Sequence, residues 1–304
     1  METKLKKIIW TYRTSGLKGI VKKFFAYITN YRVRRENFIW FFKRLHMGSS
    51  EPTTKVHGLK YYIHSSDPGI SKELAVYHIH EPVATKIFKN QLSEGMYEID
   101  IGSNLGYYAL LAGCLVGSKG KILAIEPEPN NYRLLSNNVQ RNNLENVITI
   151  QCAVGKKDGI SEFFLTEASN TNSLITPING RIISAINVKT RKLDTLIKDY
   201  AFPRIDLIRM DIEGGEIIAI EGMYTILKQF KPKILIELHC DVAGTDSINN
   251  LLSIYEDYGY GVDCIIDRDK DFVWQKNQTV LKPASMNELY KSIPNYRVAT
   301  VLLK

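Results

Sequence analysis

Residues 98–111 read EIDIGSNLGYYALL: an apolar run that ends in an acid, then a glycine, then a second glycine opening a helix-like stretch. Glycines spaced in this way let a backbone close on a nucleotide. The nicotinamide fingerprint would be G-x-G-x-x-G. Here the pattern is Asp100-x-Gly102-x-x-x-Gly106, with Asn104 where the middle glycine would stand. A pyrophosphate needs that glycine to bring the backbone within hydrogen-bonding reach, and Asp100 would repel it. A sulfonium and an ammonium, in contrast, are attracted to a carboxylate. The next apolar run ends at Glu126, twenty residues past Gly106, placed to accept the hydroxyls of a ribose. Asp100, Gly102, Asn104, Gly106 and Glu126 together favour S-adenosylmethionine over NAD as the bound nucleotide.

A second cluster follows. IRMDIEGGE (208–216) puts Asp211, Glu213 and Glu216 around a glycine pair at the end of an apolar run. Three acids there are costly unless they meet a ligand, a cation or a helix start. Asp211 is expected to face the bound donor, Glu213 or Glu216 to cap the next helix, and Arg209 to supply a counter-charge. The following run ends with Glu237 and His239. Four cysteines, Cys114, Cys152, Cys240 and Cys264, lie far apart without metal-ligand spacing. No metal is expected from this pattern, no disulfide framework, and a reducing cytoplasm fits best.

The elements that must position these residues alternate in type. Strands are predicted at 96–101, 121–127, 147–154, 159–166, 205–211, 233–239, 261–267 and 296–304, with a strand and short helix within 186–197. Helices are predicted at 105–117, 130–143, 215–229 and 247–259. Such alternation implies an α/β domain over 55–304, a doubly wound, mostly parallel Rossmann-like sheet. Ligands then bind beyond the carboxyl ends of the strands, where strand order reverses. The polar stretch SNTNSLITPINGR (169–181) interrupts the pattern. It reads either as a solvated loop or as a cover over the donor that offers amide and hydroxyl partners to an acceptor.

Glu98–Leu111, LDTL (193–196), IRMDIEGGE and IELH (236–239) resemble the FkbM-type S-adenosylmethionine-dependent methyltransferase family from about residue 95 to 240. That family commonly has D-x-G-x-N-x-G, matched by Asp100, Gly102, Asn104 and Gly106. It also has K-x-D-x-E-G-x-E, where Arg209 replaces the lysine while Asp211, Glu213, Gly214 and Glu216 match. The resemblance implies a class I methyltransferase fold and O-methylation of sugar, glycan or natural-product hydroxyls. The D/N-P-P-Y/F signature of many amine methyltransferases is absent, which favours oxygen as the acceptor. A hydroxyl needs a base to draw off its proton, and the candidates are His239, then Asp211, then Glu213. The rival readings are an NAD-dependent oxidoreductase and a non-catalytic membrane-surface or partner-binding module.

Charge is concentrated at the start of the chain. Residues 1–50 hold 12 Lys/Arg, two acids and ten of the 31 aromatics. Taking that segment's +10 from the chain's +8 leaves −2 for residues 51–304, so a basic groove for nucleic acid is not expected on the body. No apolar stretch approaches the ~20 residues needed to span a bilayer. The segment reads as a helical basic appendage that packs as a cap or makes peripheral membrane contact through residues 1–45, at the inner face of a membrane, where a lipid-linked acceptor would lie. A linker is predicted at 47–54.

Overall fold

The computed structural model describes residues 37, 39–40, 52–65, 67–166, 169–176, 182–268, 271, 280–283 and 285–304. The predicted basic helices, their membrane or capping role, and most of the 47–54 linker lie outside the described residues. The chain divides into two compact units, Met1–Ser50 and Glu51–Lys304. Among the described residues no helix is long and apolar enough to cross a membrane.

The second unit opens with a hairpin of β1 (Thr53–Val56) and β2 (Leu59–Tyr62), then helices Ile70–Tyr77 and Pro82–Gln91. The predicted alternation follows: β3 (Tyr97–Ile101), helix Tyr107–Val116, β4 (Lys121–Ile125), helix Pro129–Arg141 and β5 (Val147–Ile150). Three strands form a separate small sheet: β6 (Ala153–Val154), β7 (Gly159–Thr166) and β8 (Ile182–Arg191), in the order β6-β8-β7. After helix Leu193–Asp199 come β9 (Leu207–Met210), helices Glu216–Ile220 and Tyr224–Gln229, and β10 (Lys233–His239). The chain ends with helix Thr245–Asp257, β11 (Val262–Asp267), β12 (Val280–Leu281), helix Met286–Ser292 and β13 (Val298–Leu303).

The main sheet has the order β12-β11-β13-β10-β9-β3-β4-β5. Pairs β5–β4, β4–β3, β3–β9 and β9–β10 are parallel, and β13 is antiparallel to both β10 and β11. This is the doubly wound α/β fold expected, of class I methyltransferase type. Strand order reverses between β3 and β9, which brings Asp100 beside Arg209 in register.

Alternation along the central strands divides the sheet's two faces. Ile99, Ile101, Ile208, Met210, Ile236 and Leu238 join one apolar core. Glu98, Asp100, Arg209, Glu237 and His239 take the other positions and are buried too. The central strands are thus covered on both sides, and one face carries charge.

Two predicted elements divide. The run 147–154 is two strands, because the chain leaves the main sheet after Ile150 and joins β8 at Ala153. The predicted helix 215–229 is interrupted around Gly222, where an added Cβ would lie 2.2 Å from the Gly155 carbonyl oxygen. The helix predicted from 105 starts instead at Tyr107, with Gly106 at φ 95° before it.

Candidate active site

A cleft opens at the carboxyl ends of β3, β4, β9 and β10. Gly102, Asn104, Glu126, Asp211 and Glu213 all line it, so the structure brings together most of the residues singled out by spacing. Asp100, Gly106 and His239 stand behind its wall.

The turn after β3 is fixed by the chain itself. At Gly102 (φ 82°) an added Cβ would fall 2.0 Å from the Asp211 carbonyl oxygen. At Gly106 it would meet Leu110 and Leu135 methyl carbons at 2.8 Å. Both glycines therefore serve internal packing, and Gly102 lines the cleft as well. Between them, Asn104 adopts the left-handed conformation at φ 49°. Its side-chain oxygen accepts the Leu105 N–H at 2.8 Å, and its amide donates to the Ser169 carbonyl at 3.1 Å.

Glu126 is 4% exposed and accepts the backbone N–H of Asn104 through Oε2 at 2.8 Å and that of Glu128 through Oε1 at 2.9 Å. Both oxygens are thereby held in place, and each retains a lone pair. Burial pushes the Glu126 carboxyl up to about 8; the two backbone donors and the Asn131 side chain pull it down and the Glu128 charge pushes it up, without reversing the shift. Such a carboxylate is short of donors, and two ribose hydroxyls would supply them. Apolar groups from Ile125, Cys152, Ala153, Phe163 and Leu174 line the cleft as well, a surface suited to a purine. The residues present fit S-adenosylmethionine.

Arg209 is the counter-charge expected. Its guanidinium donates to Asp100 Oδ1 at 3.1 Å, the Gly102 carbonyl at 3.2 Å and Asp211 Oδ2 at 2.6 Å, and lies 4.3 Å over the Tyr108 ring. Asp100 is fully buried, and burial outweighs Arg209 in raising its pKa. Its position suits the holding of Arg209 more directly than contact with a ligand. Among the described residues neither oxygen of Glu98, next on the same face, has a hydrogen-bond partner, and burial holds its carboxyl well above the usual range.

His239 sits among carboxylates. Nδ1 lies 3.1 Å from Glu216 Oε1, and Nε2 lies 3.2 Å from Glu213, 3.7 Å from Glu237 and 3.8 Å from Asp211. Burial alone would lower its pKa, but Glu213, Glu216 and Glu237 together hold it well above the ordinary histidine value. Both ring nitrogens face carboxylates, an environment that favours the protonated ring and opposes a role for it as the base. Burial raises Glu213 to about 8 and Glu237 to about 7. Glu216 also accepts the Ile212 N–H at 3.2 Å, closing the turn before its helix, whose N-cap is Gly215.

The residues that sequence reasoning missed are His80, Glu81, Tyr107, Tyr108 and Arg268, all in the cleft wall. Glu81 receives Arg268 at 2.6 Å, Tyr108 Oη at 2.7 Å and His80 Nε2 at 2.8 Å. Arg268 and His80 outweigh its burial and hold the Glu81 carboxyl well below the usual range. Glu81, Asn104 and Glu213 are all left-handed non-glycine residues lining this one cleft. Each such residue costs about 1–3 kcal/mol, a strain that clusters at functional sites.

The stretch 169–181 is described only as far as 176 and does reach the cleft. Ser169, Asn172 and Leu174 line it, and Asn172 accepts the Thr166 N–H at 2.9 Å while donating to the Ser169 carbonyl at 3.2 Å. The side chain of Asn170, also expected here, lies outside the described residues.

A family profile described as the methyltransferase FkbM domain matches residues 100–262. A hexuronic acid methyltransferase, AglP, from Haloferax volcanii is 26% identical over 182 residues, 59% of this chain and 70% of that protein. A methyltransferase, sdnD, from Sordaria araneosa is 25% identical over 189 residues, 49% of this chain and 73% of that protein. The solved structure of a methyltransferase FkbM from Methylobacillus flagellatus is 18% identical, with a TM-score of 0.39 over 63% of this chain and 49% of that one.

Proposed function

Because the chain belongs to the FkbM methyltransferase domain family and is an S-adenosylmethionine-dependent methyltransferase, we propose that its acceptor is a hydroxyl of a sugar, glycan or natural product. One observation carries this reading: a single cleft joins the donor-seeking carboxylate of Glu126 to the carboxylates Asp211, Glu213 and Glu237. The hexuronic acid methyltransferase among the relatives makes uronic acid glycosides the first acceptors to try. Lipid-linked glycans are the second, since residues 1–45 are basic and aromatic.

S-adenosylmethionine, when bound, supplies a methyl group activated by its sulfonium. Glu126 would hold the ribose, and the apolar wall from Ile125 to Leu174 the adenine. Glu213 is assigned as the general base. It lines the cleft, it is partly exposed, and its proton affinity near neutrality suits the task. His239, the first expectation, supports Glu213 instead, and Asp211 is engaged by Arg209. The enzyme's largest contribution is alignment of the acceptor oxygen, worth ~7–11 kcal/mol in well-oriented systems.

Calorimetric titration of the full-length chain tests the donor. S-adenosylmethionine and S-adenosylhomocysteine should bind and NAD should not. Glu126→Gln should weaken both by about tenfold or more, as one charge-assisted acceptor is lost. Donor hydroxyls favour the ionised carboxylate, so binding must expel the proton that Glu126 holds below about pH 8. Wild-type affinity should therefore rise roughly tenfold from pH 7 to 9. A rise of equal size in Glu126→Gln would remove this carboxylate from the site.

Asn172→Ala tests the acceptor side. Losing two of the bonds that hold the 169–176 segment should raise the acceptor KM by about five- to thirtyfold at saturating donor. An unchanged KM would leave that segment a simple surface loop.

A further inference from the structure

We propose that the Ser169 hydroxyl binds the adenosine half of S-adenosylmethionine, and that Asp67 and three asparagines set it in place. Ser169 lines the cleft, and its Oγ is buried without a hydrogen-bond partner among the described residues. A buried hydroxyl normally finds a partner, and a nucleoside in the cleft would supply one.

The backbone of Ser169, in contrast, is fully engaged. Its N–H donates to Asp67 Oδ1 at 3.1 Å. Its carbonyl accepts the side-chain amides of Asn104 at 3.1 Å, Asn131 at 3.2 Å and Asn172 at 3.2 Å. Asp67 is 5% exposed and also receives the N–H groups of Gly69 at 3.1 Å and Ser71 at 2.9 Å. It thereby ties residue 169 to the start of helix Ile70–Tyr77, whose Ile70 lines the cleft too. Farther along the segment, Ser173 exchanges two backbone bonds with Phe164, and its hydroxyl donates to the Glu213 carbonyl at 2.8 Å.

Fixing the backbone of a residue outside the main sheet and helices costs about 1–2 kcal/mol of conformational entropy. Four side chains from separate parts of the chain offset that cost at Ser169, yet none of them bonds its hydroxyl. Such a group is preorganised for a ligand, because the ordering is complete before binding.

The neighbours of Ser169 indicate which part of the ligand it meets. Asn104, whose side chain holds the Ser169 carbonyl, gives its backbone N–H to Glu126 Oε2 at 2.8 Å. Only one residue therefore separates Ser169 from the carboxylate assigned to the ribose. Phe163 and Leu174 of the apolar wall lie on either side of it in sequence. A hydroxyl both gives and accepts a hydrogen bond, which suits the mixed donors and acceptors of an adenosine edge. The inference rests on the placement of the donor at Glu126.

The test is calorimetric titration of full-length wild type, Ser169→Ala, Glu126→Gln and Ser253→Ala, the last an exposed control that does not line the cleft. The probes are S-adenosylhomocysteine and 5′-methylthioadenosine, which keeps the adenosine half and lacks the amino-acid tail. Ser169→Ala removes the hydroxyl and leaves every backbone bond of residue 169 in place. It should weaken both ligands by about three- to tenfold, and Ser253→Ala should weaken neither. The Tm of ligand-free Ser169→Ala should match or exceed that of wild type, since no bond is broken and one unsatisfied polar group is gone. Equal Kd values in Ser169→Ala and wild type would overturn the contact. So would a loss confined to S-adenosylhomocysteine, or a lowered ligand-free Tm, which would make the hydroxyl a packing group. Glu126→Gln keeps the two ideas apart: weakened binding there with full binding in Ser169→Ala sinks the Ser169 contact alone. No effect in either variant sinks the placement of the donor as well.

Discussion

Replacing Arg209 with leucine should lower the stability of the chain by about 3–5 kcal/mol, the usual cost of stripping one partner from a buried ion pair. The residue is 6% exposed, and its guanidinium serves two carboxylates and a carbonyl at once. Leucine can replace the packing against Tyr108 but none of the donors. Asp100 would then share a fully buried space with Glu98 and no cation at all. For a domain of roughly 250 residues, that loss corresponds to a fall in Tm on the order of 6–20 °C.

The deficit should depend on pH in a defined direction. Without Arg209, the buried Asp100 carboxyl would be raised further in the folded state. Carboxyls whose folded pKa lies above the unfolded value lose stability as pH rises through the folded value. The Arg209→Leu deficit should therefore be smaller at pH 5 than at pH 8. Adding Asp100→Asn removes the stranded charge and should recover part of the loss, a coupling that a double-mutant cycle measures. Arg209→Lys keeps the charge but cannot span both carboxylates, so it should fall between. Equal melting temperatures for all four proteins would show that the carboxylates are neutralised by other means.

Much of this architecture could be read from the residues alone, for a physical reason. Strands buried on both faces appear as unbroken apolar runs. ILI in β10 is such a run, LIRM in β9 is broken only by Arg209, and acids stand at the carboxyl ends of both. The sheet's ligand edge was thus visible as a set of strand-terminal carboxylates. What stayed hidden is contact without periodicity. Glu81 and Arg268 are 187 positions apart, yet lie 2.6 Å from each other across the cleft. Nothing in HIHEP or IIDRDK marks one as the partner of the other. The roles of the two glycines were also hidden, since a tight turn looks the same whether a ligand or a carbonyl occupies the space beside it. Asp211 supplies that carbonyl. His239 could be placed at the end of its strand, but its protonation depends on carboxylates that converge on it only in the fold.

That convergence sets the second large effect. Glu213→Gln should lower kcat by about 10²–10⁴-fold, the usual contribution of a positioned base, while the donor Kd stays close to wild type. The substitution keeps the side chain's volume and its approach to His239 but removes the one carboxylate beside His239 that, among the described residues, both lines the cleft and is unengaged by an arginine. Glu213→Asp retains a carboxylate at a shorter reach and should recover part of the rate, which a purely packing role would not predict. His239→Gln distinguishes a base from its support. If histidine took the proton, its loss would match that of Glu213→Gln. If it only holds Glu213, as its Nε2 at 3.2 Å and its enclosure by carboxylates indicate, the loss should be smaller. The variants should then be non-additive, because a support has nothing to contribute once the base is gone. A Glu213→Gln enzyme with near wild-type kcat would end this assignment and move the base to Asp211, whose Oδ1 is the next cleft-facing acceptor.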